Sequence, residues 1–372
     1  MNEATERVLV VGLGYVGLPL AVGAWRAGYD VVGYDLDQSR VRRVMSGQSY
    51  VEDVASADLA VAVASGRLEA TSREESLDAF DVAVIAVPTP LSDGNPDLRF
   101  VRRAADAVGR HIRAGVTVIV ESTVCPGTTE ELVAPILEDR SGLAAGTDFQ
   151  LGYSPERIDP GNRVWHLANT PKLVSGVDEQ SLKAVQQFYD RVVSKTVPVA
   201  SPAVAELSKL IENTYRHVNI ALANELAVVA NDLGIDIWDA LDAAATKPFG
   251  FMRFDPGPGV GGHCLPIDPT YLSWRVRRSV GTNFRFVELA NDINDHMPDY
   301  VVRRLTRGLN ARRKCLNGSR VLLLGFAYKK NTGDVRETPA RRVAELLSSA
   351  GTHVTVADPC VPEGDCLGVE RV

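Results

Sequence analysis

Residues 7–35 read RVLVVGLGYVGLPLAVGAWRAGYDVVGYD, and this short stretch combines a strand, a glycine-rich turn, a helix and a second strand. The apolar run at 7–12 is typical of a strand that is buried on both faces, as in a parallel sheet covered by helices. Residues 18–28 are predicted to form the helix and residues 30–35 the next strand. This order predicts parallel β-α-β architecture at the N-terminus.

Two further apolar runs continue the same pattern. DVAVIAVPTP occupies 81–90 and VTVIVESTV occupies 116–124, and each run ends in proline or small polar residues. Such continuous apolar runs are typical of buried parallel strands. We therefore predict an α/β fold that begins with a Rossmann-type domain over residues 1–200.

The three glycines of the first turn predict a dinucleotide site. Gly12 permits the tight turn, Gly14 lets a pyrophosphate approach the backbone, and Gly17 packs the helix on the strand. The helix N-terminus then faces the phosphates with the positive end of its dipole. A glycine-rich turn without a ligand is the alternative, and the strand and helix that flank this turn argue against it.

The end of the second strand indicates which dinucleotide binds. Asp35 follows the glycines by about twenty residues, where a carboxylate accepts hydrogen bonds from the ribose hydroxyls. Because the same carboxylate repels a 2′-phosphate, NAD is favoured over NADP, although Arg40 lies close to the adenosine end. The predicted cofactor residues of this stretch are Gly12, Gly14, Tyr15, Val16, Gly17, Asp35 and Arg40.

The sequence changes character at Ser201-Pro202, a serine N-cap followed by a proline in the first helical turn. A long helix is predicted at 203–232, with further helices at 236–246, 269–279 and 285–309. We assign 201–310 to a central helical, dimerisation and catalytic region. The long helix carries apolar residues on more than one side, so either a homodimer interface or burial within the chain would explain them.

A second strand–helix–strand unit starts at Arg320. RVLLLGFAY is predicted as a strand, ETPARRVAELLSSAG as a helix and THVTVADP as another strand. Residues 311–372 are thus expected to form a second, Rossmann-like domain. More strands would complete such a sheet, so we expect this domain to be partial.

Composition excludes several classes of protein. The chain has 372 residues, 45% hydrophobic and 23% charged, with a net charge of −7 and no basic tail, so nucleic acid is not an expected partner. Its N-terminus does not resemble a signal peptide, and its apolar runs are too short to span a membrane. Five scattered cysteines fit free thiols in the cytoplasm, and their spacing predicts no metal site.

Two segments in the middle of the chain contain candidate catalytic residues. FGFMRFDPGPGVGGHC at 249–264 is too rich in glycine and proline for a helix or a central strand, so it is a shaped loop with exposed amides. Its last residue, Cys264, precedes a predicted helix start at Pro266 and Asp268, where a thiol ionises readily. A small buried apolar cysteine is the alternative to a nucleophile.

Lys209 and Asn213 lie four residues apart on the long helix, hence on one face, with Glu206 and Glu212 nearby. Taken alone, this cluster favours a solvated charged face. A shared catalytic face is the alternative.

The chain resembles the UDP-glucose/GDP-mannose dehydrogenase family from the first glycine motif to its end. The motifs that carry the resemblance are VGLGYVGLP, VPTP, ESTVCPGTT, YSPERIDPG, ELSKLIENTYRHVNIALANE, GGHCLPIDP and FAYKKNTGDVRETPA. The resemblance implies NAD-dependent four-electron oxidation of the C6 hydroxyl of a nucleotide-linked hexose to the uronic acid. It also implies a homodimer, and it assigns residues 311–372 to a partial domain that binds the UDP-sugar.

The resemblance assigns the catalytic residues. Cys264 matches the nucleophile that forms the thiohemiacetal and the thioester, and Asp268 matches the acid beside it. Lys209 and Asn213 match the residues that steady the oxyanion. Glu156 and Thr123 match residues that line the junction of cofactor and sugar and assist hydrolysis.

Further binding residues follow from the same resemblance. Pro88 and Thr89 match the loop beneath the nicotinamide, and Arg336 matches an arginine that reaches NAD. Residues 255–261 match the loop over the substrate, and Arg253 matches an arginine lent by a neighbouring subunit. The predicted substrate-binding residues are Glu156, Arg157, Lys209, Asn213, Arg253, Gly259, Gly261, Tyr328 and Lys329.

The loop motifs point to a branch of the family. SPERIDPG and PGPGVGGHC look more like the dehydrogenases of N-acetylated hexosamines than like the UDP-glucose enzymes, which usually have an acid in place of Pro160. His263 is interpreted as branch-specific packing or sugar recognition. UDP-glucose, dTDP-hexose and GDP-hexose remain alternative substrates. The rival functions are a β-hydroxyacid dehydrogenase of the 6-phosphogluconate type and a regulator without turnover.

Overall fold

The computed structural model describes residues 5–77, 79–159, 161–162, 164–262, 265–362, 366 and 370–371. The chain divides into two compact units, Met1–Leu210 and Ile211–Val372. A 31-residue helix, α7, runs from Pro202 to Asp232 and therefore carries the chain from the first unit into the second.

The first unit is a Rossmann-type sheet with helices on both faces. Its strands are β1 (Arg7–Val11), β2 (Asp30–Tyr34), β3 (Leu68–Thr71), β4 (Val82–Ile85), β5 (Leu91–Ser92), β6 (Asn95–Pro96), β7 (Thr117–Val120), β8 (Gln150–Tyr153), β9 (Lys172–Gly176) and β10 (Thr196–Pro198). Its helices before α7 are α1 (Gly17–Arg26), α2 (Gln38–Met45), α3 (Ser56–Ala64), α4 (Arg99–Gly109), α5 (Ala134–Ser141) and α6 (Glu179–Val192). A 3₁₀ turn at Glu74–Ser76 and a π-helical turn at Thr129–Val133 complete the described elements of this unit.

The predicted parallel sheet is confirmed. In the described part of the unit, eight strands lie in the order β10-β9-β8-β7-β4-β1-β2-β3, and their pairs are parallel except β8 with β9. Successive residues of β1 enter opposite cores: Val8 and Val10 lie in the core that contains α1, whereas Leu9 and Val11 lie in the core that contains α4. The continuous apolar strands of the sequence reflect this burial on both faces.

The described part of the second unit contains the rest of α7, five shorter helices and a small sheet. The helices are α8 (Ile237–Ala245), α9 (Asp268–Val280), α10 (Arg285–Asp295) and α11 (Met297–Ala311), and α12 (Pro339–Ser349) packs against the sheet. The described strands are β11 (Arg320–Leu324), β12 (His353–Ala357) and β13 (Glu370–Arg371). β11 pairs in parallel with β12 across α12, which confirms the predicted strand–helix–strand unit.

The helical structure predicted over 285–309 contains a break that the sequence analysis did not predict. The structure has α10 and α11 there, separated at His296. Pro298 explains the break, because its ring nitrogen carries no hydrogen for the carbonyl of Asn294 four residues earlier.

The start and end of α7 agree with the sequence signals. The Ser201 hydroxyl accepts a hydrogen bond from the amide of Val204 at 3.3 Å, as expected of an N-cap. The helix ends at Asp232, and Gly234 then takes a left-handed conformation with φ 72°. Within the described residues, no helix has the length and apolarity that crossing a membrane requires.

Candidate active site

The predicted cofactor residues of the first unit meet at the carboxyl edge of its sheet. β2 and β3 lie on one side of β1, whereas β4 and β7 lie on the other. The strand order therefore reverses between β1 and β4, which is where open α/β sheets bind ligands. The glycine turn follows β1, Pro88 and Thr89 follow β4, and Thr123 follows β7.

The glycine turn has the geometry that a bound pyrophosphate needs. Gly12 has φ 95°, and a Cβ on Gly17 would lie 1.8 Å from the Gly12 carbonyl oxygen, so helix and strand touch at their backbones. A Cβ on Gly14 would meet none of the described atoms within 4 Å. Gly14 therefore leaves its backbone open to a ligand, and half-buried Tyr15 packs against the core beside it.

Asp35 ties the end of β2 to the glycine turn. One oxygen of its buried carboxylate accepts from the amide of Leu13 at 2.9 Å and from the Arg40 guanidinium at 3.3 Å. The other oxygen accepts from the amide of Asp37 at 2.9 Å. Carboxylate oxygens have further lone pairs for ribose hydroxyls, so the residues present fit NAD.

The sequence did not indicate Tyr50, which helps to fix the same turn. Its hydroxyl donates to the Leu13 carbonyl at 2.5 Å, and burial raises the pKa of the phenol. The group therefore stays a donor at neutral pH. No local motif marks Tyr50, because its partner lies 37 residues away.

Hydrogen bonds also join the loops that follow β4 and β7. The Ser122 hydroxyl donates to the Val87 carbonyl at 2.8 Å. This contact lies between half-buried Thr123 on one loop and Pro88 and buried Thr89 on the other. The structure thus holds both loops at the predicted nicotinamide end of the site.

A buried ion pair lies behind this edge and was missed by the sequence analysis. Lys172 at the start of β9 pairs with Glu121 just after β7, and the Tyr189 hydroxyl donates to Glu121 at 2.7 Å. All three side chains are almost fully buried. Glu121 was visible in the ESTV motif, but its partners come from elements 51 and 68 residues away.

Lys209 and Glu156 come together in the first unit. The Lys209 ammonium lies 3.5 Å from one oxygen of Glu156, and both side chains are buried. The other Glu156 oxygen has no hydrogen-bond partner among the described residues. Burial raises the pKa of Glu156, and the Lys209 charge offsets part of this rise. Arg157 fixes the same segment by donating to the Pro171 carbonyl at 2.7 Å.

The solvated charged face, which the helix pattern favoured when taken alone, is wrong. Glu206, Lys209 and Asn213 are at most 6% exposed. The Glu206 carboxylate accepts from the amides of Gly127 and Thr129, at 2.6 and 2.9 Å, and from the Thr129 hydroxyl. It thereby caps the helical segment that follows the ESTVCPG loop. Burial raises the pKa of Glu206 to about 7.

Asn213 and Asp268 come together in the second unit. The Asn213 amide donates to the Asp268 carboxylate at 2.5 Å, and Asp268 is 3% exposed. Asp268 is the first residue of α9, so a helix begins shortly after the GGHC motif, as predicted. Cys264 and His263 lie outside the described residues, as does Pro160.

The glycine-rich loop packs closely in the second unit. Its described residues, 249–262, form neither helix nor strand, as predicted. The amide of Gly262 donates to the Arg336 carbonyl at 3.0 Å. A Cβ on Gly262 would lie 2.6 Å from the Tyr328 ring, and one on Gly261 would lie 2.8 Å from the Tyr328 Cβ. Tyr328 therefore supports the backbone just before Cys264.

The remaining predicted residues lie in the same unit. The Lys329 ammonium is 6.0 Å from the centre of the Tyr328 ring. The Arg336 side chain pairs with Asp334 at 2.6 Å, and Arg253 pairs with Asp255 at 2.7 Å and with Asp242. Contact of Arg336 with NAD, and of Arg253 with a neighbouring subunit, stay predictions. The described residues contain no group of three or more metal-ligating side chains arranged for a metal ion.

Three sequence models of one family match most of the chain. The NAD binding domain of the UDP-glucose/GDP-mannose dehydrogenase family matches residues 6–193. The central domain of that family matches residues 203–296, and its UDP binding domain matches residues 322–369.

Named relatives are similar over almost the whole chain. A UDP-N-acetyl-D-glucosamine 6-dehydrogenase from Pseudomonas aeruginosa is 40% identical, over 97% of this chain and 84% of the relative. The solved structure of a UDP-D-ManNAc dehydrogenase from Pyrococcus horikoshii is 36% identical, with a TM-score of 0.90 over 96% of this chain and 84% of that one. A UDP-glucose dehydrogenase structure from Pyrobaculum islandicum is 34% identical, with a TM-score of 0.87 over 100% and 87%.

Proposed function

The chain belongs to the UDP-glucose/GDP-mannose dehydrogenase family, and from that premise we propose that it oxidises C6 of a UDP-N-acetylhexosamine to the uronic acid. It is an NAD-dependent oxidoreductase of nucleotide sugars. One observation carries the proposed mechanism. α7 presents Lys209 and Asn213 one turn apart, and each is buried beside a carboxylate, Glu156 or Asp268.

The choice of sugar rests on the loops and on the relatives. SPERIDPG and PGPGVGGHC are the motifs that resemble the N-acetylhexosamine branch. Relatives named for UDP-N-acetyl-D-mannosamine and UDP-N-acetyl-D-glucosamine match this chain at 36% and 40% identity. Since a UDP-glucose dehydrogenase matches at 34%, UDP-glucose belongs in any substrate test.

Two NAD molecules, bound in succession, would each accept one hydride of the reaction. The residues that would hold it are the glycine turn, with open Gly14, and the Asp35 carboxylate. The loops at Pro88–Thr89 and Thr123 would flank its reactive end. Side chains of the protein would carry out the remaining steps, which are covalent capture of the aldehyde and hydrolysis of the thioester.

Cys264 lets one site complete two oxidations. Its thiolate attacks the C6 aldehyde left by the first oxidation and forms a thiohemiacetal, so the aldehyde is never released. Lys209 and Asn213 would donate hydrogen bonds to the oxyanion, and such donors are each worth about 3 kcal/mol. Loss of the second hydride turns the thiohemiacetal into a thioester.

Hydrolysis completes the cycle. Water adds to the thioester carbonyl, the carbon–sulfur bond breaks, and the products are the carboxylic acid and the Cys264 thiol. Glu156 suits the role of base for this water, because burial raises the pKa of its carboxyl and so makes the carboxylate a stronger base. Asp268 and Thr123 would help to orient the water.

We further infer that the enzyme is a cytoplasmic homodimer. Reduced thiols favour the cytoplasm, where Cys264 would remain a nucleophile. An exposed apolar stripe along α7 suits a symmetric contact between two copies. Its members are Val204, Leu207, Ile211, Tyr215, Leu222, Leu226 and Val229.

The yield of NADH with limiting sugar nucleotide tests the function. We would supply UDP-glucose, dTDP-glucose, GDP-mannose, UDP-N-acetylglucosamine and UDP-N-acetylmannosamine separately, with excess NAD. Two NADH per molecule of one UDP-N-acetylhexosamine is the expected result. One NADH would mean a simple alcohol dehydrogenase and remove Cys264 from its role, and no turnover would favour a regulator.

Two variants test the covalent step. Cys264→Ser should block formation of the acid after the first oxidation, because a serine hydroxyl ionises far less readily than a thiol and attacks the aldehyde poorly. Cys264→Ala should likewise form no acid. Undiminished acid formation by Cys264→Ala would refute the thioester mechanism.

A further inference from the structure

A chain of buried amides joins α7, α10 and the glycine-rich loop of the second unit. The Asn224 side chain is fully buried, and its amide nitrogen donates to the Asn294 side chain at 2.9 Å. Its amide oxygen accepts from the backbone amide of Gly257 at 2.8 Å. One side chain of α7 therefore holds the loop and is itself held by α10.

The chain of hydrogen-bonded amides continues to the ring of His217. The contacts of this ring define which of its nitrogens carries the hydrogen. The ring nitrogen Nε2 lies 2.7 Å from the Asn291 amide oxygen, which can only accept, so Nε2 carries the hydrogen. Nδ1 then accepts from the Asn294 amide nitrogen at 3.4 Å. Burial lowers the pKa of His217, in keeping with this neutral form.

The loop touches this network at a second point. Gly259 has φ 122°, and a Cβ there would lie 2.8 Å from the Asn294 backbone oxygen. Beyond it, Gly262 is fixed by the Arg336 carbonyl and by the Tyr328 ring. Residues 257–262 are thus anchored along their length, and the next residues are His263 and Cys264.

We propose that Asn224 and Asn294 are positioning residues that hold the glycine-rich loop in its substrate-binding conformation. The inference rests on the proposed function, in which residues 255–261 cover the nucleotide sugar. A loop rich in glycine loses much conformational entropy when it is ordered. Anchoring the loop in advance removes that cost from substrate binding and from the delivery of Cys264.

Kinetics separate this role from a general role in stability. Asn224→Ala should raise KM for the nucleotide sugar about 10-fold, since without the hydrogen bond to the part-buried Gly257 amide the loop must be ordered on binding, at a cost of roughly one factor of ten in affinity. The KM for NAD should not change. Asn231→Ala is the matched control, because Asn231 lies on the same helix and its side chain bonds only to neighbouring Asp232 among the described contacts.

A second pair of variants leaves the core of α7 intact. Gly257→Pro removes the amide hydrogen that Asn224 accepts, whereas Gly257→Ala keeps it. Gly257 has no positive φ, and a Cβ there would have its nearest described neighbour, the Gly259 oxygen, at 4.0 Å. In hydrogen exchange of the unliganded protein, Gly257→Pro should therefore speed exchange of residues 258–262 as Asn224→Ala does, whereas Gly257→Ala should leave that exchange as in the wild type.

Hydrogen exchange of the unliganded protein gives a test that needs no substrate. Peptides covering 255–262 should exchange faster in Asn224→Ala than in the wild type or Asn231→Ala, while β7 stays unchanged. Wild-type exchange in Asn224→Ala overturns the inference, as does faster exchange with an unchanged KM. Faster exchange in a protein whose wild type oxidises none of the sugar nucleotides supports the anchoring and overturns the proposed function instead.

Discussion

At the scale of single residues, α7 buries charge for two separate purposes. Lys209 lies against Glu156, at the carboxyl end of β8, where a positive charge can meet a developing oxyanion. Glu206, three residues earlier, is used instead to cap the segment after the ESTVCPG loop. Both positions look alike in the sequence, because each is a charged residue on a helix.

Lys209→Ala should lower kcat about 100-fold or more and leave KM for the nucleotide sugar nearly unchanged. The reason is that an oxyanion donor stabilises the transition state more than the bound substrate. Steady-state kinetics measure both constants. Lys183→Ala, which removes an exposed lysine paired with Glu179, is the control and should behave as wild type. A change confined to KM would contradict the oxyanion role.

Glu206 should make stability depend on pH in an unusual direction. Its pKa is about 7 in the folded protein against an ordinary value of 4.5, so the folded state binds more protons between these values. Its contribution to the free energy of unfolding is therefore present below pH 4.5 and is lost as pH rises to 7.

Urea unfolding at several pH values between 5 and 8 checks this prediction. Glu206→Gln should remove that part of the pH dependence, since an amide does not titrate in this range. Glu179→Gln, at an exposed helix position, should leave the pH dependence above 5 as in the wild type. Identical slopes for the wild type and Glu206→Gln would show that the carboxyl is ionised throughout.

At the scale of elements, the glycine turn and α7 show how local geometry fixes function. α7 has an exposed apolar stripe at spacings of three, four and seven residues. The buried face opposite carries polar groups, among them Glu206, Lys209, Asn213, His217 and Asn224. This reverses the usual arrangement of a surface helix, and it explains why the polar face could serve the site and why the apolar face suits a partner.

The glycine turn allows a matched pair of substitutions. Gly17→Ala places a Cβ 1.8 Å from the Gly12 oxygen, so helix or strand must move, at a cost of about 1–3 kcal/mol or more. Gly14→Ala meets none of the described atoms within 4 Å, so the protein should keep its stability but lose affinity for NAD. Thermal unfolding and NAD titration measure the two effects. Equal melting temperatures for both variants would contradict the assignment of Gly17 to stability and of Gly14 to NAD binding.

At the scale of the whole molecule, the α7 stripe predicts an obligate homodimer. Its seven exposed apolar residues, at 37–55% exposure, would leave a long apolar face in water in a monomer. The double variant Ile211→Asp, Leu222→Asp should be monomeric at micromolar concentration by light scattering, because each interface would contain buried, unpaired carboxylates. A wild-type protein that is a stable monomer under the same conditions would exclude the dimer.

The spacing of apolar residues and the positions of turn-forming residues predicted much of this structure from the sequence. The buried strands, the three glycine positions and the long helix are local sequence patterns. The predicted bounds of the strands and helices in residues 7–35 and 201–232 therefore agree with the structure to within about two residues. Resemblance then supplied the family, which the comparisons bear out. The break at His296 was missed, because Pro298 is also tolerated within the first turn of a helix.

Tertiary structure alone decided which polar residues are buried and what each one contacts. Glu206 bonds to amides 77 and 79 residues away, and Asn224 bonds to residues 33 and 70 residues away. Sequence patterns record only the alternation of polar and apolar residues, which predicts that polar side chains face solvent. A polar side chain can nevertheless be buried where residues distant in the sequence satisfy its hydrogen bonds. Folding brings those partners together, so the sequence determined the elements, whereas the capped loop, the paired carboxylates and the anchored glycine loop follow only from packing.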